Sequence, residues 1–374
     1  MKKGFLVLVL ALLSATYSVS DGSAADEAIA KGVKISGFVD AYYSFNFNKP
    51  DSNANAIGAS GSNFDFDHNA FSLNLAELVV SKTAEPVGFR VDLDFGPTTD
   101  FVHGATGITA HPPSHPGTTE SEVFKNIQQA YISWATPIGL NLDYGKFVTH
   151  LGAEVIESKD NWNYTRGLLF CCAIPYYHSG LKANYVISDM LYVNGYLLNG
   201  WNNVFENNNS KTFGAQIGIT PIKQLPILLN WIGPEDSTGA FENRQVYDLI
   251  VTFNATDSLS FMINYDYGTQ DLLPTGDQKW SGIAAYARLA GVMSENCAIA
   301  IRYENVDDDD GFMFGTLDNK VQEITLTGEH KVAGNMLLRL EYRHDMADED
   351  IFEDEGGKVS DTQDRVIVGV IYSF

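Results

Sequence analysis

The sequence predicts an all-β chain: a transmembrane antiparallel up-and-down β-barrel of about 16 strands, with short turns at one end and long loops at the other. Apolar and polar residues alternate with period two, connections alternate between short and long, and the chain ends on an alternating segment closed by Phe374. Composition agrees. At 374 residues, 45% hydrophobic and 12% aromatic, the chain is too apolar for a disordered acidic tail, although its formal net charge is −23. That length would also accommodate two soluble domains, but all-β barrels of this size are often single. The excess of carboxylates argues against a nucleic-acid partner, because phosphate binding is driven by lysine and arginine.

In chain order, the first element is an address. Lys2 and Lys3 precede an apolar run at residues 5–13, and small residues follow, ending in Ser23, Ala24 and Ala25. This is the order of a secretory signal peptide, so residues 1–25 are expected to be removed and residues 26–374 to form the barrel. No run approaches the roughly 20 apolar residues that a membrane helix needs.

The strands follow from the alternation. In residues 33–47, Ile35, Val39, Ala41, Tyr43 and Phe45 share one face, and Lys34, Ser36, Asp40, Ser44 and Asn46 the other. Val87, Phe89, Val91, Leu93 and Phe95 alternate with Arg90, Asp92 and Asp94. The pattern returns with Leu259, Phe261, Ile263 and Tyr265, then with Leu338, Leu340 and Tyr342, and last with Val366, Val368, Val370, Tyr372 and Phe374. One segment breaks phase. Phe71, Leu73 and Leu75 would carry Glu77 onto the apolar face, whereas Leu78 and Val80 hold the opposite parity. A one-residue bulge at Ala76 and Glu77 would turn that carboxylate inward.

Alternation alone does not separate a soluble sandwich from a membrane barrel; the connections and the aromatics do. Short turns are expected at 83–86, 136–139, 188–189, 220–224, 254–257, 291–296 and 331–335. Long polar stretches lie between them at 48–66, 97–122, 149–174, 201–210, 233–243, 268–279, 306–319 and 345–361. Aromatic residues gather near segment ends: Tyr42, Tyr43, Phe45, Tyr131, Trp134, Tyr176, Tyr177, Trp231, Trp280, Tyr286 and Tyr303 read as two interfacial girdles. The ending at Tyr372 and Phe374 resembles the assembly signal of Gram-negative outer-membrane barrels, which the barrel assembly machinery reads through an exposed strand edge. Three cysteines, Cys171, Cys172 and Cys297, are too few for a disulfide framework. The adjacent pair is expected as two loop thiols, a vicinal bond being the other option.

These residues also carry a family likeness. It runs through Gly37-Phe38-Val39-Asp40-Ala41-Tyr42-Tyr43, Ala76-Glu77-Leu78, the stretch from Gly88 to Gly96, Asn199-Gly200-Trp201-Asn202-Asn203 and Gly233-Pro234-Glu235. It continues in Asn264-Tyr265-Asp266-Tyr267-Gly268 and Arg302-Tyr303-Glu304. In this order the chain resembles the putative beta-barrel porin-2 (OmpL-like) family. The resemblance implies a pore in the outer membrane of a Gram-negative bacterium, small hydrophilic solutes as cargo, and no catalytic motif.

If apolar residues face lipid, the inward charges follow. Lys34, Arg90, Lys182, Arg288, Arg302, Arg339, Arg343 and Arg365 oppose Asp40, Asp92, Asp94, Asp143, Asp248, Asp266, Glu304, Glu329 and Glu341. Asp40, Arg90, Asp92, Asp94, Asp143, Arg302, Glu304, Arg339, Glu341 and Arg343 are the expected pore-lining set. Such rows either set a transverse field or pair across strands to stiffen the wall. The stretch 149–174 would narrow the pore if folded inward, with Glu154 and Arg166 as constriction charges; an outward loop is the alternative. Acidic runs at 307–310 and 345–355 are expected in outer loops, where they would attract cations and give a modest cation selectivity.

No cofactor or metal is expected: Val306 occupies the first ligand position of an EF-hand spacing, and His103, His111 and His115 lie in a proline-broken stretch. Gly-x-Ser-x-Gly and His-Glu-x-x-His are both missing. A passive diffusion channel leads, in contact with lipid and lipopolysaccharide, with a homotrimer as one assembly that strand number permits. A membrane-embedded hydrolase using His178, His330 or His344, or an adhesin or structural barrel with a plugged lumen, are the alternatives.

Overall fold

The structure is a computed structural model that describes residues 31–58, 61–104, 124–206, 208–237, 241–273 and 276–374; the expected signal peptide lies outside them. The strands are β1 (Lys34–Asn46), β2 (Ala54–Ile57), β3 (Gly61–Asp67), β4 (Ala70–Lys82), β5 (Val87–Phe95), β6 (Ile127–Ala135) and β7 (Leu140–Val148). There follow β8 (Tyr177–Ser188), β9 (Leu191–Leu198), β10 (Thr212–Ile219), β11 (Ile227–Ser237), β12 (Phe241–Asn254), β13 (Leu259–Leu272) and β14 (Gly276–Ala290). The last are β15 (Cys297–Asp308), β16 (Asn319–Ala333), β17 (Met336–Ala347), β18 (Phe352–Asp354), β19 (Lys358–Ser360) and β20 (Thr362–Ser373). Two helices, α1 (Pro97–Gly104) and α2 (Leu168–Cys172), lie in the connections.

Sixteen of these strands form one closed antiparallel barrel, and β2–β3 and β18–β19 are separate hairpins in the long connections. Closure is made by β1, which pairs with β4 on one side and β20 on the other. Phe374 completes the seam: its N–H donates to the Gly37 carbonyl at 2.9 Å, and its carbonyl accepts from Gly37 at 3.1 Å. A closed ring leaves no strand edge unpaired, which is what a β-structure needs in hydrocarbon. The start of β1 and the end of β20 lie at the short-turn end.

The two faces are as the alternation requires. Along β20, Val368, Val370 and Tyr372 are exposed to the lipid side, and Arg365, Ile367 and Ile371 are buried inside. The phase break in β4 is a bulge, placed two residues before its expected position: Asp40 pairs with Leu75 and Ala41 with Leu73, leaving Asn74 as the extra residue. Leu75 therefore turns inward, and Glu77 follows it. Several aromatics expected in the girdles also point inward: Tyr42, Tyr176, Tyr177, Trp280 and Tyr286 are buried, and Tyr131 borders the lumen. Tyr42, Tyr176, Tyr177 and Trp280 lie toward the long-loop end of the barrel, where Phe64 contacts Phe101, Phe170 and Tyr176 at ring-centroid distances of 5.3, 5.7 and 6.1 Å.

Two of the stretches expected as long loops are strand. Residues 233–243 and 268–279 lie largely in β11–β12 and β13–β14, which run on past the apolar band. Above the membrane the outward side chains no longer need to be greasy, so the pattern fades while the ladder continues.

Trp280 shows how the inner face packs. It sits across from Gly268, stacks on Phe312 at 3.5 Å, and donates its indole N–H to the Ala173 carbonyl at 3.1 Å. A Cβ on Gly268 would come within 2.0 Å of the indole. Gly268→Val is therefore expected to unseat Trp280 and cost about 1–3 kcal/mol through overpacking. Urea unfolding in detergent micelles, followed by tryptophan fluorescence, measures it; an unchanged midpoint would contradict this account of the packing.

Candidate functional site

The connection between β7 and β8, residues 149–176, takes the inward course and docks against the wall. The docking surface is two tiers of charge. Arg302, Thr325, Arg343 and Arg365 are successive cross-strand partners on β15, β16, β17 and β20, and Glu304, Glu323, Asp345 and Gln363 form the next level. Arg302 binds Glu323 at 2.7 Å and Glu154 of the loop at 2.6 Å, and donates to the Thr165 carbonyl at 2.7 Å. Arg343 bridges Asp345 and the Arg166 carbonyl, both at 2.8 Å. Arg365 joins Asp345 at 2.8 Å to Asp65 of β3 at 2.6 Å.

Neighbouring levels hold the rest of the loop. Arg339 is bound to Glu329 and donates to the carbonyls of Ser158, Asn161 and Asn163. Glu341 accepts from the amides of Tyr164 and Thr165 at 2.5 and 2.9 Å, and Glu304 from those of Leu168 and Leu169. From β1, next to β20 in the ring, Asp40 accepts from Ser158 Oγ at 2.7 Å and the Tyr164 hydroxyl at 2.9 Å. Buried ions persist in a low dielectric when ion pairs and hydrogen bonds offset their desolvation, and here loop carbonyls and amides supply many of those bonds.

The expected pore-lining charges thus divide. All ten stand on the inner wall, but Asp40, Arg302, Glu304, Arg339, Glu341 and Arg343 are sealed beneath the loop, and Asp92 and Asp94 are also fully buried. Arg90 and Asp143 border free space. Arg166, expected at a constriction, is wholly buried in the docked loop and donates to the carbonyls of Tyr164 and Ile156, because a tight loop inside a barrel needs a donor for its own carbonyls. Glu154 borders free space but is held by Arg302 and the Gly167 amide. Two acidic residues expected in outer loops are also internal. Asp345 lies within β17 in the arginine network, and Asp308 accepts the Met313 and Phe314 amides at 2.9 and 2.8 Å.

Free space remains beside the loop. A cavity of about 1240 Å³ opens at the short-turn end, lined by residues that include Lys34, Ser81, Lys331 and Asn335. A second, of about 490 Å³, lies between the loop and the β5–β10 wall, lined by Tyr131, Asp143, His150, Lys182, Asn194, Tyr196 and Gln216 among others. Glu77, Arg90, Lys159 and Asp160 line both, so the two cavities adjoin at a neck formed by these side chains. Arg90 is paired with Asp92 at 2.8 Å, Lys159 with Asp160 at 2.5 Å and Lys182 with Asp143 at 3.5 Å. Among the described residues Glu77 has no ion-pair partner. Burial raises the pKa of the adjacent loop residue Glu157.

Sequence reasoning missed an amide ladder on this wall. Asn184 donates to Asn194 at 2.7 Å, Asn194 to Gln216 at 2.6 Å, Gln216 to Asn230 at 2.8 Å, and Asn230 to Asp248 at 2.5 Å. The signal was present as inward Asn and Gln at alternate positions of successive strands. Asp248 then receives the Gly152 amide at 3.0 Å and tethers the start of the loop.

Cys171 and Cys172, expected as free thiols, are joined by a disulfide with an S–S distance of 2.12 Å, at the end of α2. The Tyr176 hydroxyl caps that turn by donating to the Cys171 carbonyl. His103 packs on Tyr177, and burial, helped by Lys146, lowers its pKa to about 3; His111 and His115 lie outside the described residues. Among the described residues no three His, Cys, Asp or Glu side chains converge as a metal site. His178 spans the Gly200 carbonyl and Thr149 Oγ1, His330 meets Cys297 Sγ at 3.2 Å, and His344 meets Asp364 at 2.8 Å. None of the three lines either cavity.

Arg302→Met would leave Glu154, Glu304 and Glu323 buried without their shared cation. The expected cost is about 3–5 kcal/mol, read as a lower thermal midpoint in detergent. The loop should become cleavable by trypsin at Lys159 or Arg166, identified by mass spectrometry. An uncut loop and an unchanged midpoint would refute the docking role of the arginine.

Comparison with known proteins agrees with this architecture. The outer membrane channel DcaP of Acinetobacter baumannii superposes with a TM-score of 0.58 at 14% identity, over 92% of this chain and 98% of that one. An anion-selective porin from Comamonas acidovorans gives 0.57 at 12% identity, over 92% and 99%. Vibrio cholerae OmpT in its trimer form gives 0.55 at 12% identity, over 91% and 99%. These likenesses concern the fold. No curated protein sequence matches. The family model described as putative beta-barrel porin-2, OmpL-like, matches residues 32–374, nearly the whole chain. With a closed 16-strand barrel and a loop folded into its lumen, the chain belongs to that outer-membrane porin family.

Proposed function

We propose that the protein is a passive diffusion channel of the Gram-negative outer membrane for small hydrophilic solutes, weakly selective for cations. The observation that carries this is the neck: the cavity at the short-turn end and the cavity beside the loop share Glu77, Arg90, Lys159 and Asp160 as lining, which supports a water-filled path between them. The route is eccentric, along β5–β10, because the arginine tiers hold the loop against the other wall. At the neck and beside the loop Arg90, Lys159 and Lys182 are each paired with a carboxylate, which leaves Glu77 and Glu157 as the acidic groups there without a paired cation, while Lys34 and Lys331 stand at the short-turn mouth. The amide ladder supplies uncharged donors and acceptors, which suit hydrated polar solutes.

The sign of selectivity is a property of these residues and does not travel with the fold. Tyr372 and Phe374 serve in this reading as the assembly signal, since the β20 edge that faces β1 stays unpaired until the ring closes. A homotrimer is part of the proposal, supported by the trimeric form of the Vibrio cholerae relative in fold. The aromatic cluster in the long-loop half favours one competing reading, a plugged structural barrel. Planar-bilayer recording separates the two: a plugged barrel gives no unitary conductance.

In a potassium chloride gradient the reversal potential should show preference for potassium. It should weaken between about 0.1 and 1 M salt, as the Debye length falls from roughly 10 to 3 Å. Asp143→Asn should move the reversal potential toward chloride and Lys182→Gln further toward potassium. Chloride preference at low salt would overturn the assignment.

A further inference from the structure

The wall at the neck holds carboxylates that no cation of the chain contacts in an ion pair among the described residues. Glu77 of β4 and Asp94 of β5 are direct cross-strand partners, and both point inward, 5% and 0% exposed. Oε2 of Glu77 and both carboxylate oxygens of Asp94 lack any hydrogen-bond partner. Glu157 faces them from the loop, close enough for its charge to act on each. The nearby cations are engaged elsewhere. Arg90 is bound to Asp92 at 2.8 Å and Lys159 to Asp160 at 2.5 Å, while Lys146 donates to the Ile127 carbonyl at 2.6 Å and contacts His103. Among the described residues none of the three carboxylates is in an ion pair.

Buried like charges side by side must gain either protons or a cation. Glu77 borders both cavities and Asp94 lies beside it as its cross-strand partner, so ions in the lumen water reach the site on its Glu77 side. The free oxygens are hard donors, and calcium accepts a partial set of carboxylate ligands completed by water. We propose that Glu77 and Asp94 bind one calcium-class divalent cation at the neck, with water filling its coordination shell and Glu157 facing it from the loop. The ion would tie the loop to the β4–β5 wall, opposite its arginine anchorage, and would cancel the negative charge that otherwise draws monovalent cations into the neck.

The test is calcium binding by the full-length barrel in detergent at neutral pH, by calorimetry, which does not depend on whether the lumen conducts. Outer-loop carboxylates are a common background, so wild type is compared with Glu77→Gln/Asp94→Asn. The double variant should bind one calcium fewer, and Glu157→Gln should weaken that site several-fold while keeping it. Equal calcium uptake by wild type and a folded double variant overturns the proposal and leaves the carboxylates sharing protons. If the double variant does not fold, Glu157→Gln decides: unchanged affinity at every site also overturns it.

Discussion

Everything in this molecule follows from the need to satisfy every backbone N–H and C=O inside a hydrocarbon layer. A closed ring of strands does so, and closure fixes which residues face lipid and which face the lumen. Once β1 has zipped to β20, the inward residues of neighbouring strands stand at common levels. Arg302, Arg343 and Arg365 thereby become a row, although they are scattered in sequence. The row is what the inward loop grips. Charge that would be intolerable in a dry interior is saturated by loop carbonyls and amides, and the loop is fixed by the same bonds.

That arrangement separates two kinds of inner wall. On the β15–β20 side ions serve structure and are out of reach of solutes. On the β5–β10 side the wall is lined by amides, aromatics and charges already matched to a neighbour, and there the space stays open. Whether an inward-pointing charge touches solutes is therefore decided by where the loop lies, not by the strand that carries it.

Much of the fold was legible because lipid imposes period two on strand after strand, and the 16 strands and both terminal positions follow from it. The readings failed where that pressure is absent. The hairpins β2–β3 and β18–β19 lie in the long connections and not in the ring, so no lipid face marks them, and the far ends of β11–β14 lose theirs. Asp345 and Asp308 look like members of acidic loops because sequence neighbours are acidic, but their partners are Arg365 and the amides near Met313. The inward course of residues 149–176 rests on contacts with residues more than 100 positions away, such as Tyr164 with Asp40 and with Glu341. Local pattern holds no trace of such bonds. The neck at Glu77 was half visible: the bulge turned the carboxylate inward as parity demanded, but which cavity it would face depended on the loop.

The seam between the first and last barrel strands has a temporal consequence. The loop between β7 and β8 takes its anchors from β1 and from strands β12 to β17, and Gly369 of β20 accommodates the Tyr164 ring. An incomplete ring lacks some of these anchors, so the loop gains its full set of contacts only as the later strands join. The docked loop is in effect a completion mark, set in place as the strands that anchor it come together around it.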